Sequence, residues 1–193
     1  MAKARVITGL DCQETTGANA RMIAMIRLEE MYRWSQYADH PYDVQGLHNL
    51  RIAAKRVRYT LEVFEEALPE ACKPIVDELQ QLQDELGAVH DSDVMVALLR
   101  LCLASQDSGA AYELALAQVE KQHAKGKLMV PPELVAKLIE PSALPIDEER
   151  YGLEQLLQKR IQRREEEYDA FKQHWQRLKA RDFRRQALEV LDS

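Results

Sequence analysis

The chain has 193 residues, of which 46% are apolar and 30% charged, with seven glycines and seven prolines; it is one domain in size and long enough to bury a proper core. That balance excludes intrinsic disorder and collagen-like or linker-rich chains. The longest uncharged apolar runs, such as Val94 to Leu99, fall far short of the roughly 20 residues that cross a bilayer, so no membrane span is expected. The formal net charge of −6 means that an anionic partner has to be met by a local patch, not by the molecule as a whole.

The basic start leads into no apolar stretch, so it does not read as a secretory signal. Cys12, Cys72 and Cys102 are widely spaced and odd in number, which argues against a disulfide framework and a structural zinc site. A reducing cytoplasm is the expected location, with no metal and no cofactor.

Residues 1–16 read as an irregular arm and residues 17–193 as one helical domain. A first helix is expected over 19–38, carrying Ile23, Ile26, Trp34 and Tyr37 and ended by His40-Pro41, since the residue before proline resists the helical conformation. Asp43 offers an N-cap for a second helix running to about Leu68, and Pro69 breaks it. A third begins near Pro74 with Ile75, Leu79, Leu82 and Leu86, Gly87 marking a kink or stop. Asp91-Ser92-Asp93 caps another. Ser108-Gly109 reads as a turn before a helix to about Gly126, and a short helix is bracketed by Pro131-Pro132 and the stretch 141–145. The longest, most polar helix runs from Ile146 to about Arg181. No segment alternates in the manner of a strand, so the fold class is all-α, a bundle of antiparallel helices.

The second helix carries the chemistry. On a wheel of about 100° per residue, Leu47, Leu50, Ala54, Val57, Leu61 and Phe64 share one stripe that faces the core. His48, Arg51, Lys55 and Arg58 form a second stripe flanking that seam. No acidic residue lies between Val44 and Leu61, and unpaired like charges at helical spacing repel by a few tenths of a kcal/mol per pair. A helix that accepts this invites an anion. The plain alternative is a solvated face on which Arg and Lys lay their stems along apolar surface; His48 alone is more often a structural hydrogen-bonding group.

The last long helix has the apolar stripe Leu153, Leu156, Leu157, Tyr168, Phe171, Trp175 and Leu178, with Arg160 and Arg164 falling inside it. An inward guanidinium is expensive unless it meets a carboxylate, a phosphate or water. Either Asp84, Asp91 or Asp93 pairs with it, or two helices direct cations into one groove with Arg163 and Lys172 near its rim.

Leu47-His48-x-x-Arg51-x-x-x-Lys55-Arg56-x-Arg58-Tyr59, followed by Leu82-Gln83-x-x-Leu86-Gly87-x-x-His90-Asp91-x-Asp93-Val94, resembles the CHAD family, the conserved histidine α-helical domain. Arg163-Arg164-x-x-x-Tyr168-x-x-Phe171-x-x-x-Trp175 is similar to that family's closing helix. The resemblance implies one CHAD-like four-helix unit with additional short helices, binding inorganic polyphosphate through basic side chains and associated with polyphosphate granules without catalysis. The matching positions are His48, Arg51, Lys55, Arg56 and Arg58, with Arg160 and Arg164 carried over less directly. The family usually has two such halves, each with its own basic helix. Here one motif is clear, which implies an open groove or a homodimer that rebuilds the two-fold arrangement. His174-x-x-Arg177-x-x-x-Arg181 echoes the motif's spacing, but Gln173 and Gln176 stand where the apolar leucines belong, so it reads as coincidence.

Two other classes compete. His90-Asp91 resembles a dipeptide of metal-dependent phosphohydrolases, but His40, His48, His123 and His174 build no second cluster. A di-iron bundle wants two Glu-x-x-His pairs, and only Glu120-x-x-His123 exists. Nucleic acid is disfavoured because base reading needs aromatics or amides in the contact surface, and Tyr59 alone stands near the basic stripe. A protein-interaction bundle is the third reading.

Overall fold

The computed structural model describes residues 4–107 and 147–192. Among them lie five α-helices and no strand, so the all-α fold class is as expected. The helices are α1 (Thr16–Trp34), α2 (Val44–Val63), α3 (Lys73–Asp107), α4 (Asp147–Ala180) and α5 (Phe183–Asp192), with 3-10 turns at Ser35–Asp39, Glu65–Ala67 and Glu70–Cys72. The expected turn at Ser108-Gly109, the helix to Gly126, the short proline-bracketed helix and the pair Glu120-x-x-His123 lie outside the described residues.

Residues 4–15 hold no helix, as expected of the arm, but they are not loose. The Arg5 N–H donates to Glu30 Oε1 at 2.9 Å and Arg27 Nη1 donates to Arg5 O at 3.0 Å. Asn19 both accepts from the Asp11 N–H and donates to its carbonyl. The arm is therefore fastened to α1 by backbone groups that would otherwise seek water.

Several boundaries differ from expectation for identifiable reasons. The first helix tightens into a 3-10 turn after Trp34, and α2 stops at Val63 instead of Leu68, where the Phe64 N–H turns back to Thr60 and Glu62 carbonyls. The expected break near Gly87 and the cap at 91–93 do not occur: α3 runs unbroken through both. A glycine inside a helix costs about 1 kcal/mol. Burial of Leu82, Leu86 and Val89 around it offsets that, at about 2 kcal/mol for each large side chain. Ser92 does not cap; its hydroxyl donates to Glu167 Oε2 at 2.5 Å. The last long helix ends at Ala180, and a separate α5 follows a turn in which Asp182 adopts φ 52°.

The described residues group into two compact units, one of 88–107 with 147–167 and the other of 4–87 with 168–192. The second has a continuous core. It comprises Ala20, Ala24, Leu28 and Met31 of α1, then Leu47, Leu50, Ala53, Ala54, Val57 and Leu61 of α2. Ile75, Leu79, Leu82 and Leu86 of α3 join Phe171, Trp175 and Leu178 of α4, and Phe183, Ala187 and Leu191 close it from α5. The core face of α1 is thus alanine-lined and not the expected Ile23, Ile26, Trp34 and Tyr37, which are half-buried. Fully buried alanines on α1 and α2 suit the close packing of that pair. Within the same unit the Tyr168 hydroxyl donates to Ala38 O at 2.9 Å, and Trp175 lies 5.9 Å from the Tyr32 ring. In the 88–167 unit, Leu156, expected in the apolar stripe of α4, is exposed.

Candidate functional site

The basic face of α2 is set by the way the helix starts. Asp43 caps it, its carboxylate accepting from the Gly46 N–H at 2.7 Å. At Gly46 the Tyr37 ring comes so near that a Cβ would stand 2.5 Å from Tyr37 Cγ. With this start fixed, the apolar stripe turns into the core, and the basic stripe falls where expected, beside the seam. His48 is 4% exposed, Arg51 and Lys55 are half-buried, and the Arg58 side chain is 12% exposed.

The heads of this stripe meet mostly uncharged groups. Arg51 lies against α3 at Gly87, where an added Cβ would be 3.5 Å from Arg51 Nε. An alanine Cβ there would make only ordinary van der Waals contact with the guanidinium, so Arg51 does not by itself require the glycine. Among the described residues Arg51 Nε is buried and without a hydrogen-bond partner, as is Oε1 of Gln83, one turn earlier on the same face of α3. Lys55 Nζ and Arg58 Cζ lie 5.1 Å and 4.8 Å from the Tyr59 ring centroid. Among the described residues neither Arg51 nor Lys55 has a carboxylate partner. Arg58 does: Glu62, one residue beyond the acid-free stretch of the helix, stands 3.6 Å away.

Arg56 projects from another side of α2 and pairs with Glu30 at 3.3 Å. Glu30 is 6% exposed and also receives Arg27 Nη1 at 2.8 Å and the Arg5 N–H. Two guanidiniums and a backbone donor make this buried carboxylate tenable. Arg56 therefore ties α2 to α1 and to the arm, apart from the stripe.

The remaining cations on α4 also have places. In the 88–167 unit, the Arg164 side chain is 8% exposed and its Nε donates to Asp93 Oδ1 at 2.8 Å. This is the carboxylate alternative, with Asp93 as the partner. Arg163 pairs with Glu167 at 2.9 Å, the carboxylate that also accepts from Ser92. Arg160 is half-buried and has no carboxylate partner among the described residues. In the other unit, Lys172 is paired with Asp39, which Lys179 reaches at 3.3 Å.

Of the residues in the spacing read as a coincidence, His174 and Arg181 belong to an internal ion network, while Arg177 is exposed. His174 is 3% exposed, its two ring nitrogens each 2.8 Å from a carboxylate, Glu78 through Nε2 and Glu85 through Nδ1. Arg181 Nη2 stands 2.6 Å from the other Glu78 oxygen. Burial pushes the Glu78 carboxyl up, but the hydrogen bonds and charges of His174 and Arg181 outweigh it and hold it below the usual range. Burial pushes the Cys72 and Cys102 thiols up, away from the reactive thiolate. Among the described residues no group of three His, Cys, Asp or Glu is arranged to hold a metal, and no helix is long and apolar enough to cross a membrane.

Fold and site together define an all-α protein whose second helix presents a basic face beside its core seam. Residues 12–100 match the family model of the CHAD domain, a span that contains both motifs, so the family likeness they carry is shown over that part of the chain. No curated protein and no solved structure matches the chain.

Proposed function

We propose that the protein binds inorganic polyphosphate on the basic face of α2, as a non-catalytic binding protein. The observation that carries this reading is the state of Arg51 and Lys55: both flank the core seam, and neither has a carboxylate partner among the described residues. Guanidinium and ammonium groups supply charge-assisted hydrogen bonds to phosphate oxygens directly. The CHAD match over residues 12–100 supports the same partner. His48 lies on the same stripe, and the neighbouring Arg58 adds its charge while sharing Glu62. Arg160 is a further cation without a carboxylate partner among the described residues, whereas Arg56, Arg163, Arg164 and Lys172 reach phosphate only by exchanging a carboxylate for it. In this reading the location is the cytoplasm, at polyphosphate granules, and a homodimer places two such faces about one axis.

The test is a competition among polyphosphate, single-stranded DNA and heparin at matched charge, with and without EDTA. Polyphosphate is expected to bind in preference to the other two, and to do so in EDTA. Loss of binding in EDTA with recovery on adding magnesium or zinc would overturn direct recognition. Equal binding of all three polyanions would reduce the face to a generic basic patch. Light scattering with and without ligand checks the dimer.

A further inference from the structure

We infer that Tyr59 is a positioning residue of this face, holding the heads of Lys55 and Arg58 over its ring; the inference rests on the polyphosphate reading. Lys55 Nζ stands 5.1 Å and Arg58 Cζ 4.8 Å from the ring centroid, within the range at which the ring quadrupole attracts a cation. Lys55 precedes Tyr59 by one helical turn, so the contact follows from helix geometry. Tyr59 is 44% exposed, so the ring and the cations over it stand open to a ligand.

What the ring does differs from what a carboxylate does. Arg164 is fixed by Asp93 and Lys172 by Asp39; each is neutralised, and phosphate has to displace the partner. A ring holds a cation in place without cancelling its charge or consuming its N–H donors. Lys55 is therefore held in place, with no carboxylate to displace among the described residues, before any ligand arrives, which reduces the rotamer freedom lost on binding. The same contacts bear on specificity. A ring engaged by two cations is a poor platform for a nucleobase, and sequence-tolerant nucleic-acid binding relies on such platforms. The face thus suits a polyanion without bases.

The experiment compares Tyr59→Phe, which keeps the ring, with Tyr59→Leu, which keeps apolar bulk without it, in the full chain. In carbon–proton NMR spectra of the free protein, the Lys55 Cε methylene is expected to be shifted upfield by the ring in wild type and Tyr59→Phe but not in Tyr59→Leu. Lys55 is the cleaner reporter because Arg58 also meets Glu62. By anisotropy with labelled polyphosphate, Tyr59→Phe should bind within about twofold of wild type and Tyr59→Leu about fivefold more weakly. The salt dependence should not change, because no cation is removed. An unshifted Lys55 resonance in wild type, full affinity in Tyr59→Leu, or equal losses in the two variants would each overturn the inference. Should wild type bind no polyphosphate, the proposed function falls, and with it the specificity argument; the Lys55 shift then decides whether the ring holds the cation.

Discussion

His174 Nε2 lies 2.8 Å from Glu78 Oε2, and the far side of the same ring meets Glu85 at an equal distance. The spacing His174-x-x-Arg177-x-x-x-Arg181 repeats that of His48-x-x-Arg51-x-x-x-Lys55, and both histidines are buried. What separates the two is α3. Toward His174 and Arg181 it presents the carboxylates of Glu78 and Glu85, and toward Arg51 it presents Gly87. His174 and Arg181 are met by carboxylates, whereas Arg51 and Lys55 have no carboxylate partner among the described residues. This contrast within one unit is the physical ground for assigning the anion to α2.

The Glu78 network sets a pH dependence. Because His174 and Arg181 hold the folded carboxyl below its ordinary value, its ionised form stabilises the fold above the unfolded pKa. That contribution is complete at neutral pH and is lost as pH falls through the lowered folded value. Glu78→Gln should therefore reduce unfolding free energy by about 2 kcal/mol at pH 7, the scale of charge-assisted hydrogen bonds. The gap between wild type and variant should narrow in urea titrations as pH falls below the ordinary carboxylate range. A gap that persists unchanged there would assign the loss to packing instead of ionisation.

Gly46 should tolerate no side chain. Alanine there gains about 1 kcal/mol of helix propensity, but its Cβ would stand 2.5 Å from Tyr37 Cγ and 2.7 Å from Tyr37 Cβ. Overpacking of this kind costs about 1–3 kcal/mol, so Gly46→Ala is expected to lower Tm. Adding Tyr37→Ala should cost less in that background than in wild type. Additive losses would show that the contact is not the cause.

The features legible in the sequence were those decided within a few residues. The Asp43 cap, the end of the first helix before Pro41 and the apolar stripe of α2 all follow from local chemistry. Sequence narrows the partner of Arg164 to three aspartates without choosing among them, because Asp93 lies 71 residues away and only packing brings it near. Gly87 looked like a helix stop because propensity is local, while the burial that overrides it comes from other helices. The start of α5 was hidden for the opposite reason: its left-handed turn residue is Asp182, not the glycine that usually signals one. On α2 the Glu62 partner of Arg58 was missed by one residue, and with it a share of that cation's availability.

Arg164 and Asp93 test the structural role of the closing helix. Their side chains are 8% and 13% exposed, and removing one partner of a buried pair leaves an uncompensated charge. Arg164→Met should destabilise by about 3 kcal/mol. The double variant Arg164→Met/Asp93→Leu should recover most of that, measured by urea denaturation. A single variant as stable as wild type would mean that Arg164 is held for a ligand and not for the fold.

The α2 face itself is tested by its salt response. For a single-stranded polyanion, log K falls with log salt at about −0.7 per cation engaged. Replacing Arg51, Lys55 and Arg58 together by Gln removes three such cations while leaving Leu47, Leu50, Val57 and Leu61 in the core. The slope for polyphosphate should therefore become shallower by about 2. The helical circular-dichroism signal should be retained, since Asp43 and the apolar stripe still specify α2. Arg56→Gln provides the control from the same helix: with its head on Glu30, it should lower stability while changing the slope little. If the triple variant keeps the wild-type slope, the ligand engages cations elsewhere on the chain. If Arg56→Gln flattens the slope as much as the triple variant does, the division of α2 into a ligand face and a packing face is wrong.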